Sequence, residues 1–148
     1  MPFVAIVEDL VLNAERYAAH VRKHLPRSEV QIFNCLDRLF NEDNCRLPDI
    51  LERAAPGYAD ACMICDICMV NSDYRDRQGL HYLRRLNQIG SLRAIMPRVI
   101  VYSALIGHEE RTELIRDCGI PAGNIVMKQS ETEALNVALQ RIWQGSWV

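Results

Sequence analysis

Four short apolar runs, each ending in a polar residue, set the plan of the chain. Phe3-Val4-Ala5-Ile6-Val7 leads into Glu8-Asp9, Ala61-Cys62-Met63-Ile64-Cys65 into Asp66, Val99-Ile100-Val101-Tyr102 into Ser103, and Asn124-Ile125-Val126-Met127 into Lys128. A near-continuous apolar run of about five residues is the pattern of a strand covered on both faces. Val30-Gln31-Ile32-Phe33 adds a shorter strand between the first two runs.

Helical spacing fills most of the gaps. Asn13 is placed to cap a helix over Ala14 to Leu25 whose Tyr17, Ala18, Val21 and Leu25 share one face, and Pro26 ends it. Leu36, Leu39 and Phe40 open a second helix; Asn41 to Asn44 forms a turn, Pro48 starts a short helix through Ala54, and Pro56-Gly57 breaks it. A polar loop from Asn71 to Arg77 precedes a helix over Leu80 to Ile89, with Leu83 and Leu86 inward and Arg84 and Arg85 outward. A helix from about His108 to Asp117 stops at Cys118-Gly119. Ser130 with Glu133 has the form of a capping box before an amphipathic helix carrying Ala134, Leu135, Ala138, Leu139 and Ile142.

Strand and helix alternate along the whole chain, which implies right-handed crossovers between parallel strands. The fold class is α/β: a doubly wound five-stranded parallel sheet with helices on both faces, of the flavodoxin-like kind. In such a sheet the carboxyl ends of the strands gather at one edge, where ligands bind. Glu8, Asp9, Asp66, Ser103 and Lys128 converge there.

Length and composition fit one domain over residues 1–148, with 49% hydrophobic and 24% charged residues. The formal charge of −2 gives no footprint of direct nucleic-acid binding. No apolar run approaches the roughly 20 residues of a membrane helix, and the N-terminus lacks the layout of a signal peptide, so the expected compartment is the cytoplasm without membrane insertion. The six cysteines are read as reduced thiols, since three lie in or beside one core strand.

The acidic pair Glu8-Asp9 after the first strand, Asp66-Ile67-Cys68-Met69 after the third, Ser103-Ala104 after the fourth and Lys128 after the fifth resemble a stand-alone response-regulator receiver domain of two-component signalling. The resemblance spans essentially the whole chain. It implies that Asp66 is the phosphoacceptor and takes a phosphoryl group from a histidine kinase or phosphotransfer protein. It further implies that Glu8, Asp9, Asp66 and the backbone carbonyl of Cys68 hold Mg²⁺, and that Ser103 and Lys128 contact the phosphoryl oxygens. The donor chemistry agrees, because Mg²⁺ takes a few carboxylates together with water and phosphate oxygens.

Several positions depart from the family pattern. Val70 and Gln129 stand where prolines are usual, and Ile125 stands at the position of the aromatic switch residue, for which Tyr102 is a candidate substitute. The segment of about 41–60 and the loop of about 70–78 are extended, and beside a site such material shapes partner choice. The chain ends soon after its last helix, so output is expected through a downstream protein target, with a homodimer through the face of the last helices as a further expectation.

Other candidates carry a structural reading beside a chemical one. Cys62 and Cys65 point to opposite faces of a strand and cannot share one ion, so packing is the reading for the Cys62, Cys65, Cys68 run, with Cys68 the most reactive of them. His20 and His24 share a helix face that could bind a metal but show no third ligand, so a solvated face is expected. Trp143 and Trp147 suit either packing or partner docking, and His108 is read as a surface residue. The functional reading is a phosphorylation-switched signalling module rather than a turnover enzyme. Its rivals are a constitutive adaptor of the same fold that works without phosphorylation, and a Mg²⁺-dependent hydrolase using Asp66.

Overall fold

The computed structural model describes residues 3–8, 11–33, 61–66, 78–88, 90–103, 106–127 and 132–142. Five strands, β1 (Phe3–Val7), β2 (Glu29–Phe33), β3 (Ala61–Cys65), β4 (Val99–Ser103) and β5 (Ile125–Met127), form one sheet in the order β2-β1-β3-β4-β5. Every pairing is parallel. The order reverses direction at β1, so β2 and β3 flank it on opposite sides. This is the doubly wound arrangement expected from the pattern.

The apolar strands are buried along their full length: every residue of β1, β3 and β4 is removed from solvent. Their alternation divides the core into two layers. Val4, Ile6, Cys62, Ile64, Ile100 and Tyr102 face one side, under helices α1 (Val11–His24) and α4 (Thr132–Ile142). Phe3, Ala5, Val7, Met63, Cys65, Val99 and Val101 face the other, under α2 (Gln78–Gln88), α3 (His108–Arg116) and a 3-10 segment, Gly90–Arg98. Strand β2 lies at the edge, and Glu29 and Gln31 are exposed there as an edge strand permits.

The helices follow their apolar stripes. Ala14, Tyr17, Ala18, Val21 and Leu25 from α1 meet Leu135, Ala138 and Leu139 from α4 in the first layer. Leu80, Leu83 and Leu86 of α2 and Leu114 of α3 fill the second. Helix α3 is closed where Gly119 takes a φ of +72°, and the Ile120 N–H returns to the Leu114 carbonyl at 3.0 Å. A left-handed residue at that point favours glycine.

Several expectations need correction. Helix α1 begins at Val11, which puts Asn13 inside the helix rather than at its cap. A cap contributes only about 1 kcal/mol, so local capping preference fixes a helix start weakly. The stretch Gly90–Arg98, for which the sequence suggested no element, is a 3-10 helix that buries Ile95 and Met96. Arg84 does not point to solvent: its guanidinium lies 2.7 Å from the Glu113 carboxylate, joining α2 to α3. It follows directly after buried Leu83, at the margin of the apolar stripe, and a long side chain there runs along the neighbouring helix.

His20 departs from the solvated reading as well. Its Nε2–H donates to Asn136 Oδ1 on α4, and its ring sits 4.7 Å from that of His24. His108 is exposed, as expected. The helix opening at Leu36, the extended segment 41–60, the loop 70–77, the side chain of Arg85, the capping box at Ser130, and Trp143 and Trp147 lie outside the described residues.

Two measurements test this packing. Leu83→Ala removes a fully buried side chain and should lower the unfolding free energy in urea by about 2–5 kcal/mol. Burial lowers the pKa of His20 from its ordinary value, against the opposing hydrogen bond to Asn136 and with the help of the His24 and Lys23 charges. The folded state then holds this proton less readily than the unfolded chain, so stability falls as pH drops below about 6.5. Thermal melts from pH 7 to pH 5 should show a shallower loss for His20→Gln than for the wild type; equal slopes would remove His20 as the cause.

Candidate functional site

The site builds from the reversal of strand order. Strands β1 and β3 pair with Val7 beside Cys65, so Glu8 and Asp66 each follow by one residue at neighbouring strand ends. The backbone holds both in place: the Asp66 N–H donates to the Val7 carbonyl and the Glu8 N–H to the Phe33 carbonyl, each at 3.1 Å. Crevices at such a switch point are where doubly wound sheets bind ligands.

Strand β4 brings in the hydroxyl. Ser103 Oγ donates to Asp66 Oδ1 at 2.8 Å. All three side chains are withdrawn from water, with Glu8 at 1%, Asp66 at 6% and Ser103 at 0% exposure. Burying carboxylates at one sheet edge has a free-energy cost that hydrogen bonds and cations offset. The structure therefore brings together three of the residues picked out from sequence, while Asp9, Cys68 and Lys128 lie outside the described residues.

The described donor set fits Mg²⁺. Glu8 and Asp66 offer hard carboxylate oxygens at adjacent strand ends, and the serine hydroxyl adds a polar neighbour without a competing soft ligand. Among the described residues no group of three or more His, Cys, Asp and Glu side chains is gathered as a metal site. The full ligand set named from sequence draws on Asp9 and the Cys68 carbonyl as well.

The cysteines follow the expected division between faces. Cys62 lies in the layer under α1 and α4, and Cys65 and Cys118 lie in the other. Burial pushes the Cys62 thiol up to about 12 and that of Cys118 up to about 11, well above the range where a thiolate forms at neutral pH. Cys65 Sγ–H donates to the Asp66 carbonyl at 3.4 Å, a contact next to the site that the sequence did not announce.

Tyr102, the candidate substitute for an aromatic switch residue, is buried. Strand alternation turns it away from Ser103's side of the sheet and into the layer under α1 and α4, where its ring meets Tyr17 edge-on at 5.1 Å. Ile125 is half-buried and packs against the opposite layer.

Comparison with known proteins adds the fold and no closer relationship. Neither protein-family models nor curated proteins match the sequence. Among solved structures, the signal receiver domain of a DNA-binding response regulator from Colwellia psychrerythraea superposes with a TM-score of 0.66 at 15% identity, covering 97% of this chain and 99% of that one. A response regulator receiver protein from Pseudoalteromonas atlantica gives 0.64 at 16% identity over 98% and 99% of the two chains. A chemotaxis protein of Vibrio cholerae gives 0.63 at 14% identity over 96% and 98%. The chain thus has the receiver fold. Among its described residues, no helix is long and apolar enough to cross a membrane.

Two carboxylates buried at neighbouring strand ends lose hydration and repel each other, which opposes folding. Asp66→Asn removes one charge and leaves Ser103 an acceptor, so the variant should unfold at higher temperature than the wild type, by about 1 kcal/mol in stability. Differential scanning calorimetry without Mg²⁺ checks this. A lower melting temperature would mean that the Asp66 charge is itself a net stabiliser.

Proposed function

We propose that this protein is a phosphorylation-switched signalling module that accepts a phosphoryl group on Asp66. The observation that carries the proposal is the buried Asp66 carboxylate at the strand-order reversal, hydrogen-bonded to Ser103 Oγ and next in register to Glu8. A turnover hydrolase with this fold would also use that edge, but the order of site residues along the chain and the receiver-fold neighbours favour a relay.

The chemistry is a single displacement. An Asp66 carboxylate oxygen attacks the phosphorus of a phosphohistidine on a histidine kinase or phosphotransfer protein; the P–N bond breaks, an acyl phosphate forms, and the histidine leaves with the electron pair. Glu8, Asp9, the Asp66 carboxylate and the Cys68 carbonyl are the groups that would hold Mg²⁺, which when bound neutralises charge on the phosphoryl oxygens. Ser103 would exchange its hydrogen bond to Asp66 for one to a phosphoryl oxygen, and Lys128 would supply a second contact. The phosphorylated protein would then signal to a downstream protein target in the cytoplasm, with the face of α3, β5 and α4 as the switching and possible homodimer surface.

A second reading, a constitutive adaptor that needs no phosphorylation, draws support from one feature. The ring that could couple site to surface is missing: position 125 is isoleucine, and Tyr102 is packed against Tyr17 in the core.

Intact-mass spectrometry after incubation with Mg²⁺ and acetyl phosphate separates the readings. The wild type should gain one phosphoryl group, dependent on Mg²⁺, and Asp66→Asn should gain none. A wild type that gains nothing and binds no Mg²⁺ would favour the constitutive adaptor.

A further inference from the structure

Far from the carboxylate edge, helices α1 and α4 bring three nitrogen- and oxygen-bearing side chains together. His20 and His24 stand one helical turn apart on α1, and their rings are 4.7 Å apart with planes tilted by 55°. Across the helix pair, Asn136 of α4 turns its side-chain oxygen onto His20 Nε2. All three side chains are half-buried, so the cluster is both built and reachable from solvent. Two histidines alone are a common surface feature, but the third donor comes from a different helix and is brought in by packing of the two helices.

We propose that His20, His24 and Asn136 form a site for an imidazole-preferring divalent transition ion, with Ni²⁺, Cu²⁺ and Zn²⁺ as the chemical class. An ion would replace the proton shared between His20 Nε2 and Asn136 Oδ1, and rotation of the two side chains would part these atoms to the roughly 3 Å that separates neighbouring ligands of one ion; the ring proton then resides on Nδ1 of neutral His20. Four residues on, the His24 ring offers the second imidazole nitrogen, and water completes the coordination. The set offers two imidazole nitrogens and no carboxylate, so it favours nitrogen-seeking ions over Mg²⁺ or Ca²⁺.

Such an ion would fasten α1 to α4. Binding to the folded state alone raises stability by mass action, so occupancy is readable without any assay of signalling. It also makes the site independent of the phosphoacceptor reading.

Isothermal titration with NiCl₂ at pH 7.5, on reduced protein in excess MgCl₂ to keep the carboxylate edge occupied, tests the assignment. The wild type should bind one equivalent with micromolar affinity and melt at higher temperature with Ni²⁺ than without. His24→Gln should abolish both effects, and Asn136→Ala should weaken binding about tenfold. Circular dichroism of each variant without metal should match the wild type, which keeps loss of binding distinct from loss of fold. Binding that survives in His20→Gln/His24→Gln would assign the ion to other donors, such as the carboxylate edge or the cysteines, and overturn the proposal, as would a wild type with no saturable binding.

Discussion

Parallel pairing of β1 with β3 is the constraint on which the rest of the molecule depends. Both strands are buried on both faces along their whole length, so neither tolerates a shift of register: a slip by one residue would move Ile64 and Met63 each into the wrong layer. The helical layers are fitted to that alternation, with α1 and α4 over one set of side chains and α2 and α3 over the other. Fixing the register also fixes where the strands stop. Glu8 and Asp66 consequently arrive side by side at the one point where the strand order reverses.

An apolar core of this kind does not itself want a charged edge. What permits it is the backbone, which continues the ladder one residue beyond each strand through the Val7 and Phe33 carbonyls. The main chain of Glu8 and Asp66 is thereby fixed, their side chains are buried, and Ser103 Oγ supplies a donor to the Asp66 carboxylate. Rigid placement of this sort suits phosphoryl transfer, where positioning and electrostatics carry most of the catalysis. Burial explains the inert thiols: Cys62 lies deep in one layer, where loss of hydration disfavours its thiolate against the opposing charge of Arg98.

Much of this was legible in the sequence because burial on both faces writes itself as uninterrupted apolar runs. The runs that became β1, β3 and β4 and the residue after each follow from that signal, the parallel sense follows from the alternation of strand and helix, and the opposed directions of Cys62 and Cys65 follow from strand alternation. Contacts between elements distant in sequence were not legible. Arg84 with Glu113, His20 with Asn136 and Tyr102 with Tyr17 each depend on how two elements pack, and no local pattern encodes a partner many residues away. The start of α1 was misplaced because local capping preference fixes a helix start weakly. The 3-10 segment escaped because its buried Ile95 and Met96 are neighbours, without the spacing of either a helix or a strand.

The fate of Tyr102 bears on how a change at Asp66 would reach the surface. Ser103 and Tyr102 are consecutive on β4 and so lie on opposite sides of the sheet. Any shift of the Ser103 backbone toward a phosphoryl group would carry the backbone that holds the Tyr102 ring on Tyr17, and through it α1. On the other side, α3 is restrained at two points, by Glu113 on Arg84 and by the Asp117 carbonyl accepting from Asn87 Nδ2 at 2.9 Å. With isoleucine at position 125 there is no ring to rotate between buried and exposed states. Under the proposed switch, the signal would have to travel as a displacement of β4 and the segment that follows it, resisted by the tyrosine pair on one face and by the α2–α3 ties on the other. A small movement at Ser103 would thus be shared between both layers of the core.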